Sequence, residues 1–208
     1  MLEFRTLKIT DADKFRAKLT DKNLGWEYNF ATVFLWNVHD SMQIAETDNA
    51  LFLYNKVFGR DIFMPPYLGT NGDFLTAVKA VNEYCDSQVI KHFFRGLTKD
   101  QVALLSGDKY LIGTSRNDYD YVYGSDDLKY LKGKSYHAKR NFINRFKETY
   151  DYEFIDYSEN DFEAVMALCD AWLATADKSS ATEMERDAVL RALRYRNELD
   201  LKIGLLKV

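Results

Sequence analysis

The chain has 208 residues, of which 47% are hydrophobic, and its formal net charge is −4 at pH 7. This length and apolar content support a packed core and exclude an intrinsically disordered chain. No stretch approaches the roughly 18 continuous apolar residues of a membrane-spanning helix, and the first residues lack the pattern of a signal peptide. We therefore expect a globular, cytoplasmic protein without a transmembrane segment.

The first part of the chain alternates between strand-like and helix-like patterns. Asp73 opens a pattern with Phe74, Val78 and Val81 at helical spacing, and short strands before the prolines at 65–66 predict an antiparallel meander. Residues 26–37 are aromatic on several faces, which favours a buried helix but leaves a strand open. The predicted strands are residues 4–9, 42–45, 51–57, 61–64, 89–94, 110–114 and 119–123. The predicted helices are residues 10–19, 26–37, 73–85 and 99–105.

These elements predict a first domain over residues 1–134, of the α/β class with a mixed α+β sheet. Residues 135–208 form a second unit that opens with a helix to about residue 148, followed by a strand at 152–155. Capping signals at Ser158 and Thr182 open two further helices, and an apolar strand covers 199–206. A sheet this small is marginal alone. We expect this second domain to be incomplete, because the natural protein is longer or because the first domain or another copy completes the sheet.

The two cysteines, Cys85 and Cys169, lie far apart in helix-like patterns. Neither belongs to a CxxC pair or to a Cys/His ligand spacing, so we interpret both as reduced and buried. His39 and His92 also show no spacing typical of a metal site or a catalytic triad. The sequence therefore predicts neither a metal nor a cofactor.

One stretch, residues 129–147, is strongly basic although the chain as a whole is acidic. We call it the basic segment. It contains no acidic residue. Such a local concentration of positive charge indicates an anionic partner, such as the phosphates of RNA, of a nucleotide or of a lipid headgroup. Its cationic residues, with one histidine, are Lys129, Lys132, Lys134, His137, Lys139, Arg140, Arg145 and Lys147.

The helix within the basic segment is predicted to be amphipathic. At 100° per residue, Phe142, Ile143 and Phe146 share an apolar side, and the basic and amide residues share another. Lys139 falls in the middle of the apolar side, so we expect it to pair with Asp118 or Asp120. The alternative is a solvated surface helix, although such helices usually intersperse glutamate with lysine.

For several other patterns we prefer a structural interpretation to a functional one. Tyr119, Tyr121 and Tyr123 alternate as on a strand face and are assigned to core packing, although they could stack bases. Asp118 and Asp120 then form the wet side of that strand, or a carboxylate pair. Residues 133–135 (Gly-Lys-Ser) lack the upstream glycine of a phosphate-binding loop. The glycine turn at 69–72 could hold an anion on backbone amides, but it is a weak signal.

Several strings of the chain resemble a bacterial family, DUF2156, related to the C-terminal domain of phosphatidylglycerol lysyltransferase. The most specific string is Tyr-His-Ala-Lys-Arg-Asn-Phe-Ile-Asn-Arg-Phe at residues 136–146. Others are Asp-Tyr-Asp-Tyr-Val-Tyr at 118–123, Trp-Glu-Tyr-Asn-Phe at 26–30 and Gly-Leu-Leu at 204–206. The resemblance covers the whole chain. It implies tandem GNAT-like acyltransferase folds, one complete and a second begun, similar to the Fem peptidyltransferases.

The resemblance also implies an activity, which is transfer of an aminoacyl group from aminoacyl-tRNA, or another phosphate-bearing donor, to an amine or lipid acceptor. The alternative is a non-catalytic module that binds RNA or another anion. We assign substrate or phosphate binding to the polar and basic residues of the basic segment and leave the catalytic residues unassigned. The binding residues are Lys134, Tyr136, His137, Lys139, Arg140, Asn141, Asn144, Arg145 and Lys147.

Overall fold

A computed structural model describes residues 1–19, 25–57, 59–105, 107, 109–177 and 179–208. Its strands are β1 (Arg5–Thr6), β2 (Gln43–Glu46), β3 (Ala50–Val57), β4 (Arg60–Phe63), β5 (Tyr67–Leu68), β6 (His92–Phe94), β7 (Glu153–Asp156) and β8 (Gly204–Lys207). Its α-helices are α1 (Ala12–Arg16), α2 (Phe30–Leu35), α3 (Phe74–Gln88), α4 (Lys99–Ala103), α5 (Ser125–Tyr130), α6 (His137–Thr149), α7 (Phe162–Thr175) and α8 (Ser180–Arg194).

The larger sheet has the order β1-β2-β3-β4-β6, and β5 also pairs with β3. All neighbouring strands are antiparallel except β4 and β6, which run parallel and are joined through α3. Strands β7 and β8 form a separate antiparallel pair. The predicted α/β class with a mixed sheet is confirmed, and the arrangement is consistent with an α+β acyltransferase-like fold.

The larger sheet is buried on both faces, as the alternation along β3 shows. Leu51 and Leu53 pack into a core with α1 and α2, where the fully buried Phe15 has its ring centre 4.5 Å from that of Tyr67. Phe52, between them in sequence, points to the other face and packs against α3, where Val81 is buried. Successive strand residues point to opposite faces, so these two cores explain the almost unbroken apolar run of β3.

The C-terminal region packs against α2 and its core through α8 and the residues after it. The guanidinium of Arg191 lies 4.4 Å from the ring centre of Phe34 and pairs with Asp40 at 3.2 Å. Tyr195 makes an edge contact with Phe34, and Leu199 is buried in the same core. The division of the chain at residue 134 remains a prediction.

Two predicted strands, 110–114 and 119–123, are wrong. In the described residues, both segments are irregular, with a short 3-10 turn at Arg116–Asp118 between them. Their sequences have strand-like alternation, but a strand also needs a neighbour that accepts its backbone hydrogen bonds. Among the described residues the sheet ends at β6, which pairs with β4.

Cys85 gives a direct test of this packing. It lies on the buried face of α3, and burial raises the pKa of its thiol to about 12, with Asp61 and Asp86 adding to the effect. Since the thiolate is the reactive form, we expect Cys85 at pH 8 to react with a thiol reagent at least ~100-fold more slowly in the native protein than in the unfolded chain. The measurement is labelling of a Cys169→Ser variant, with and without denaturant. Equal rates would show that Cys85 is not enclosed.

Candidate functional site

The basic segment folds as α5's last residues, a turn, a short 3-10 helix (Lys134–Tyr136) and α6. A helix over most of this segment is as predicted, and α6 begins one residue later than the Ser135 cap suggested. All nine predicted binding residues therefore lie on one continuous helical stretch. Tyr136 and Arg140 are half-buried, and the other seven are exposed.

The cations of the basic segment have no acidic partners among the described residues. In the part of the chain that the structure describes, none of them forms an ion pair. Lys129 and Lys132 instead lie over the ring of Tyr130, at 5.0 and 5.2 Å from its centre. Such contacts leave the ammonium groups accessible to an anion. The segment is therefore a surface of uncompensated positive charge.

The expected pairing of Lys139 with Asp120 is not formed. Lys139 is exposed, and the carboxylate of Asp120 accepts a hydrogen bond from the backbone N–H of Trp26 at 3.2 Å. The side chain of Asp118 lies outside the described part. The prediction assumed that the apolar side of α6 is buried, whereas Phe142 on that side is 72% exposed. A charge in such a setting stays hydrated and needs no partner.

Arg140 has a structural contact that the sequence did not reveal. Its Nη1 donates to the carbonyl oxygens of Leu131 and of Gly133, the second at 2.8 Å. Leu131 and Gly133 both have positive φ, at 46° and 89°. Arg140 thus holds the turn that leads into α6, and part of its hydrogen-bonding capacity is committed there.

The remaining polar side chains offer donors beside these cations. Asn141 lies within 3.4 Å of the Nδ1 of His137, one helical turn away. Asn144 is exposed on the same helix. Desolvation, with smaller contributions from Asp127 and Tyr123, raises the pKa of Tyr136, which keeps this hydroxyl protonated as a donor. The segment can therefore offer hydrogen bonds as well as charge to an oxyanion.

The tyrosine stripe is exposed, so its assignment to core packing is wrong. Tyr119, Tyr121 and Tyr123 are 61%, 86% and 45% exposed, and the rings of the last two stack with centres 6.4 Å apart. The assignment assumed a strand with a buried face, and the segment does not form one. These rings are available to a partner.

A cleft of about 1130 Å³ lies at the edge of the larger sheet. One wall is β6 with the residues that follow it, and the other walls come from residues 25–27 and 109–120. Its lining includes the carboxyl end of β6, the strand that runs parallel to β4. Such ends of parallel strands commonly bind ligands.

Glu27 is a buried acid at this cleft, with only 7% of its surface exposed. Two glycines make room for its carboxylate. A Cβ at position 25 would lie 2.5 Å from its Oε2, and a Cβ at position 96 would lie 2.8 Å from its Cδ. Its carbonyl oxygen accepts a hydrogen bond of 2.7 Å from the hydroxyl of Tyr67, which fixes the local backbone.

His92 is a second titratable group of the cleft. Its Nε2 lies 3.1 Å from the Oδ1 of Asn82, whose Nδ2 donates to the hydroxyl of Tyr110 at 2.8 Å. Because Oδ1 only accepts, Nε2 carries the proton, and Nδ1 of the neutral ring is the unprotonated nitrogen. Burial lowers the pKa of His92, and Asp86 and Asp61 oppose this only in part. The ring is thus neutral near pH 7 and can accept a proton at Nδ1.

Sequence reasoning missed Glu27 as a site residue and dismissed His92. Glu27 reaches the cleft only because the fold brings it against Gly96, far along the chain. A signal was available, since residues 26–30 carry part of the family resemblance. Among the described residues, no group of three or more His, Cys, Asp or Glu side chains is arranged to hold a metal ion.

A mixed sheet with a cleft at its parallel pair, followed by an exposed basic helix, defines an α/β protein of acyltransferase-like fold. The chain belongs to the family described as phosphatidylglycerol lysyltransferase, C-terminal, whose profile matches residues 22–208. The resemblance noted in the sequence is therefore confirmed.

The chain is also similar to a solved structure, described as a conserved protein of unknown function from Bacteroides thetaiotaomicron VPI-5482. The two share 26% sequence identity with a TM-score of 0.90, over 100% of this chain and 72% of the other. No curated protein matches the chain. No helix among the described residues has the length and apolar character to cross a bilayer.

Proposed function

We propose that the protein transfers an aminoacyl group from an aminoacyl-tRNA to a lipid, with phosphatidylglycerol and lysine as the first acceptor and amino acid to test. Family membership supports this reaction. The single structural observation that carries it is the basic segment, where exposed cations lie together and none pairs with an acid in the part of the chain that the structure describes. Such a surface suits the phosphates of an RNA donor.

The reaction divides between two regions of the chain. The basic segment holds the donor through its phosphates, and the cleft is the place where the donor ester meets the acceptor. The acceptor oxygen forms a bond to the ester carbonyl, the bond to the tRNA oxygen breaks, and the acceptor proton ends on that oxygen. Catalysis of this kind depends largely on positioning the donor ester and the acceptor, because the reaction needs neither a redox step nor an additional charged group.

The test supplies tRNA charged with radiolabelled lysine, together with phosphatidylglycerol vesicles, to the protein as its cell produces it and to the 208-residue chain. We expect label in the lipid extract, and less of it when uncharged tRNA competes. Vesicles of phosphatidylcholine, which lacks the free glycerol hydroxyls, are the control. Absence of labelled lipid with both proteins would contradict the proposal.

The second candidate is a binding module without chemistry. The exposure of most cations of the basic segment favours it, since binding an anion requires no cleft. In this case charged and uncharged tRNA bind with the same affinity, and no label reaches any acceptor. Binding without transfer, in the protein that its cell produces, would establish this alternative.

A further inference from the structure

Exposed aromatic and aliphatic side chains lie within the basic segment and on both sides of it in the sequence. Single exposed apolar residues are ordinary on a protein surface, but a run of them within one region marks an interaction site. This run extends over residues 119–150. Its members with exposed rings or aliphatic side chains are Tyr119, Tyr121, Val122, Tyr123, Leu128, Tyr130, Phe142, Ile143 and Tyr150.

Helix α6 shows how charge and apolar surface are combined. Phe142 and Ile143 are exposed on its apolar side, with Lys139 at the middle of that side. Phe146, at 5.1 Å from Tyr150 and 5.3 Å from Tyr152 between ring centres, supports the base of this side. A lysine amid exposed apolar residues extends its ammonium past them, as lysines do at a membrane interface.

The composition of the surface favours a lipid bilayer over a protein partner. Five of its exposed residues are tyrosines, whose rings suit the headgroup layer because one end is apolar and the other is polar. Seven lysines and arginines lie in the basic segment without an acid among them, and the rest of residues 119–150 contains four acids, Asp120, Asp126, Asp127 and Glu148, so the surface keeps a net positive charge. A protein partner would have to present matching carboxylates, whereas a layer of anionic headgroups supplies negative charge at every position.

We propose that residues 119–150 dock on an anionic membrane, with the aromatic rings in the headgroup layer and the lysines on lipid phosphates. The proposal rests on the proposed function in one respect, since a lipid acceptor requires that the protein reach a bilayer. The apolar side of α6, with Lys139, faces the membrane. His137, Asn141 and Asn144 lie opposite Lys139 on α6 and stay open to the RNA donor, with Arg145 and Lys147 at the two margins between these sides.

The experiment is co-sedimentation with vesicles of equal parts phosphatidylglycerol and phosphatidylcholine, compared with phosphatidylcholine alone. We expect at least about tenfold tighter binding to the anionic vesicles. A double variant, Phe142→Ser with Ile143→Ser, should weaken that binding at least about tenfold, because it removes exposed apolar groups that enter the interface.

The matched control replaces Leu75 and Leu168 by serine, since both are exposed leucines on other helices. It should bind the anionic vesicles like the wild type. Equal loss in both double variants, or equal binding to both kinds of vesicle, would overturn the proposal. A stable dimer of the wild type that the Phe142/Ile143 variant abolishes would also overturn it, because a second copy would then cover the surface.

The two proposals fail separately. Vesicle binding without aminoacyl transfer would support membrane docking and refute the proposed reaction. Transfer to a water-soluble glycerol phosphate acceptor, without any vesicle binding, would support the proposed reaction and refute membrane docking.

Discussion

Replacing Lys134, Arg145 and Lys147 together by glutamate is expected to lower the affinity for tRNA at least ~100-fold at about 0.15 M salt. Each of these side chains is exposed and has no ion pair among the described residues, so the change removes three cations and adds three anions on one helical stretch. Phosphates would then meet repulsion instead of counterion release. The measurement is equilibrium binding of labelled tRNA, with circular dichroism to verify the fold.

A matched control separates this surface from the effect of net charge. Lys99, Arg194 and Lys202 are exposed and lie outside the basic segment, and their replacement by glutamate changes the net charge by the same amount. This variant is expected to lose no more than about threefold in affinity, through weak long-range repulsion. If both triple variants bind equally poorly, affinity follows net charge, and the basic segment is a solvated surface.

Gly96→Ala is expected to cost about 3 kcal/mol of unfolding free energy or more, the largest effect of a small substitution in the cleft. Gly96 has a φ of 80°, which an alanine adopts only with strain. A Cβ there would also lie 2.8 Å from the Cδ of Glu27 and nearer still to its Oε1. Because Glu27 is itself buried, it has little room to move away. Denaturant unfolding measures the change.

Gly59→Ala isolates the conformational part of this cost. Gly59 has nearly the same φ, 75°, and among the described residues nothing beyond its chain neighbours lies within 4 Å of an added Cβ. Its alanine variant should therefore lose only about 1 kcal/mol. Adding Glu27→Ala to Gly96→Ala should reduce the extra loss, because the side chain that the new Cβ meets is gone. Equal costs at positions 59 and 96 would mean that Glu27 is not packed on Gly96.

Local signals in the sequence were enough to predict the helices and strands whose capping residues and apolar periodicity lie within the element itself. Helix α3 follows Asp73, whose carboxylate accepts the N–H of Thr76 at 2.8 Å, as its apolar spacing predicted. The meander before the prolines and the helix of the basic segment were predictable for the same reason. In each case the signal and the structure lie within a few residues of each other.

Long-range relations were not predictable in this way. Residues 110–114 and 119–123 alternate like strands, but their conformation depends on whether a neighbouring strand exists, which no local pattern states. The predicted burial of Tyr119, Tyr121 and Tyr123 was wrong because it depended on a strand that does not form. Glu27 entered the candidate site only through its packing against Gly96. The charge of the basic segment could be read from the sequence, whereas the turn held by Arg140 depends on contacts that form only in the folded chain.

The most direct test of the central claim, that the basic segment binds the phosphates of an RNA donor, is the salt dependence of tRNA binding. The wild type is compared with a variant in which Lys134, Arg145 and Lys147 are replaced by glutamine. Each lost phosphate contact reduces the slope of log affinity against log salt by about 0.7 to 0.9. We predict a slope shallower by about 2 in the variant. An identical slope in both proteins would contradict the claim.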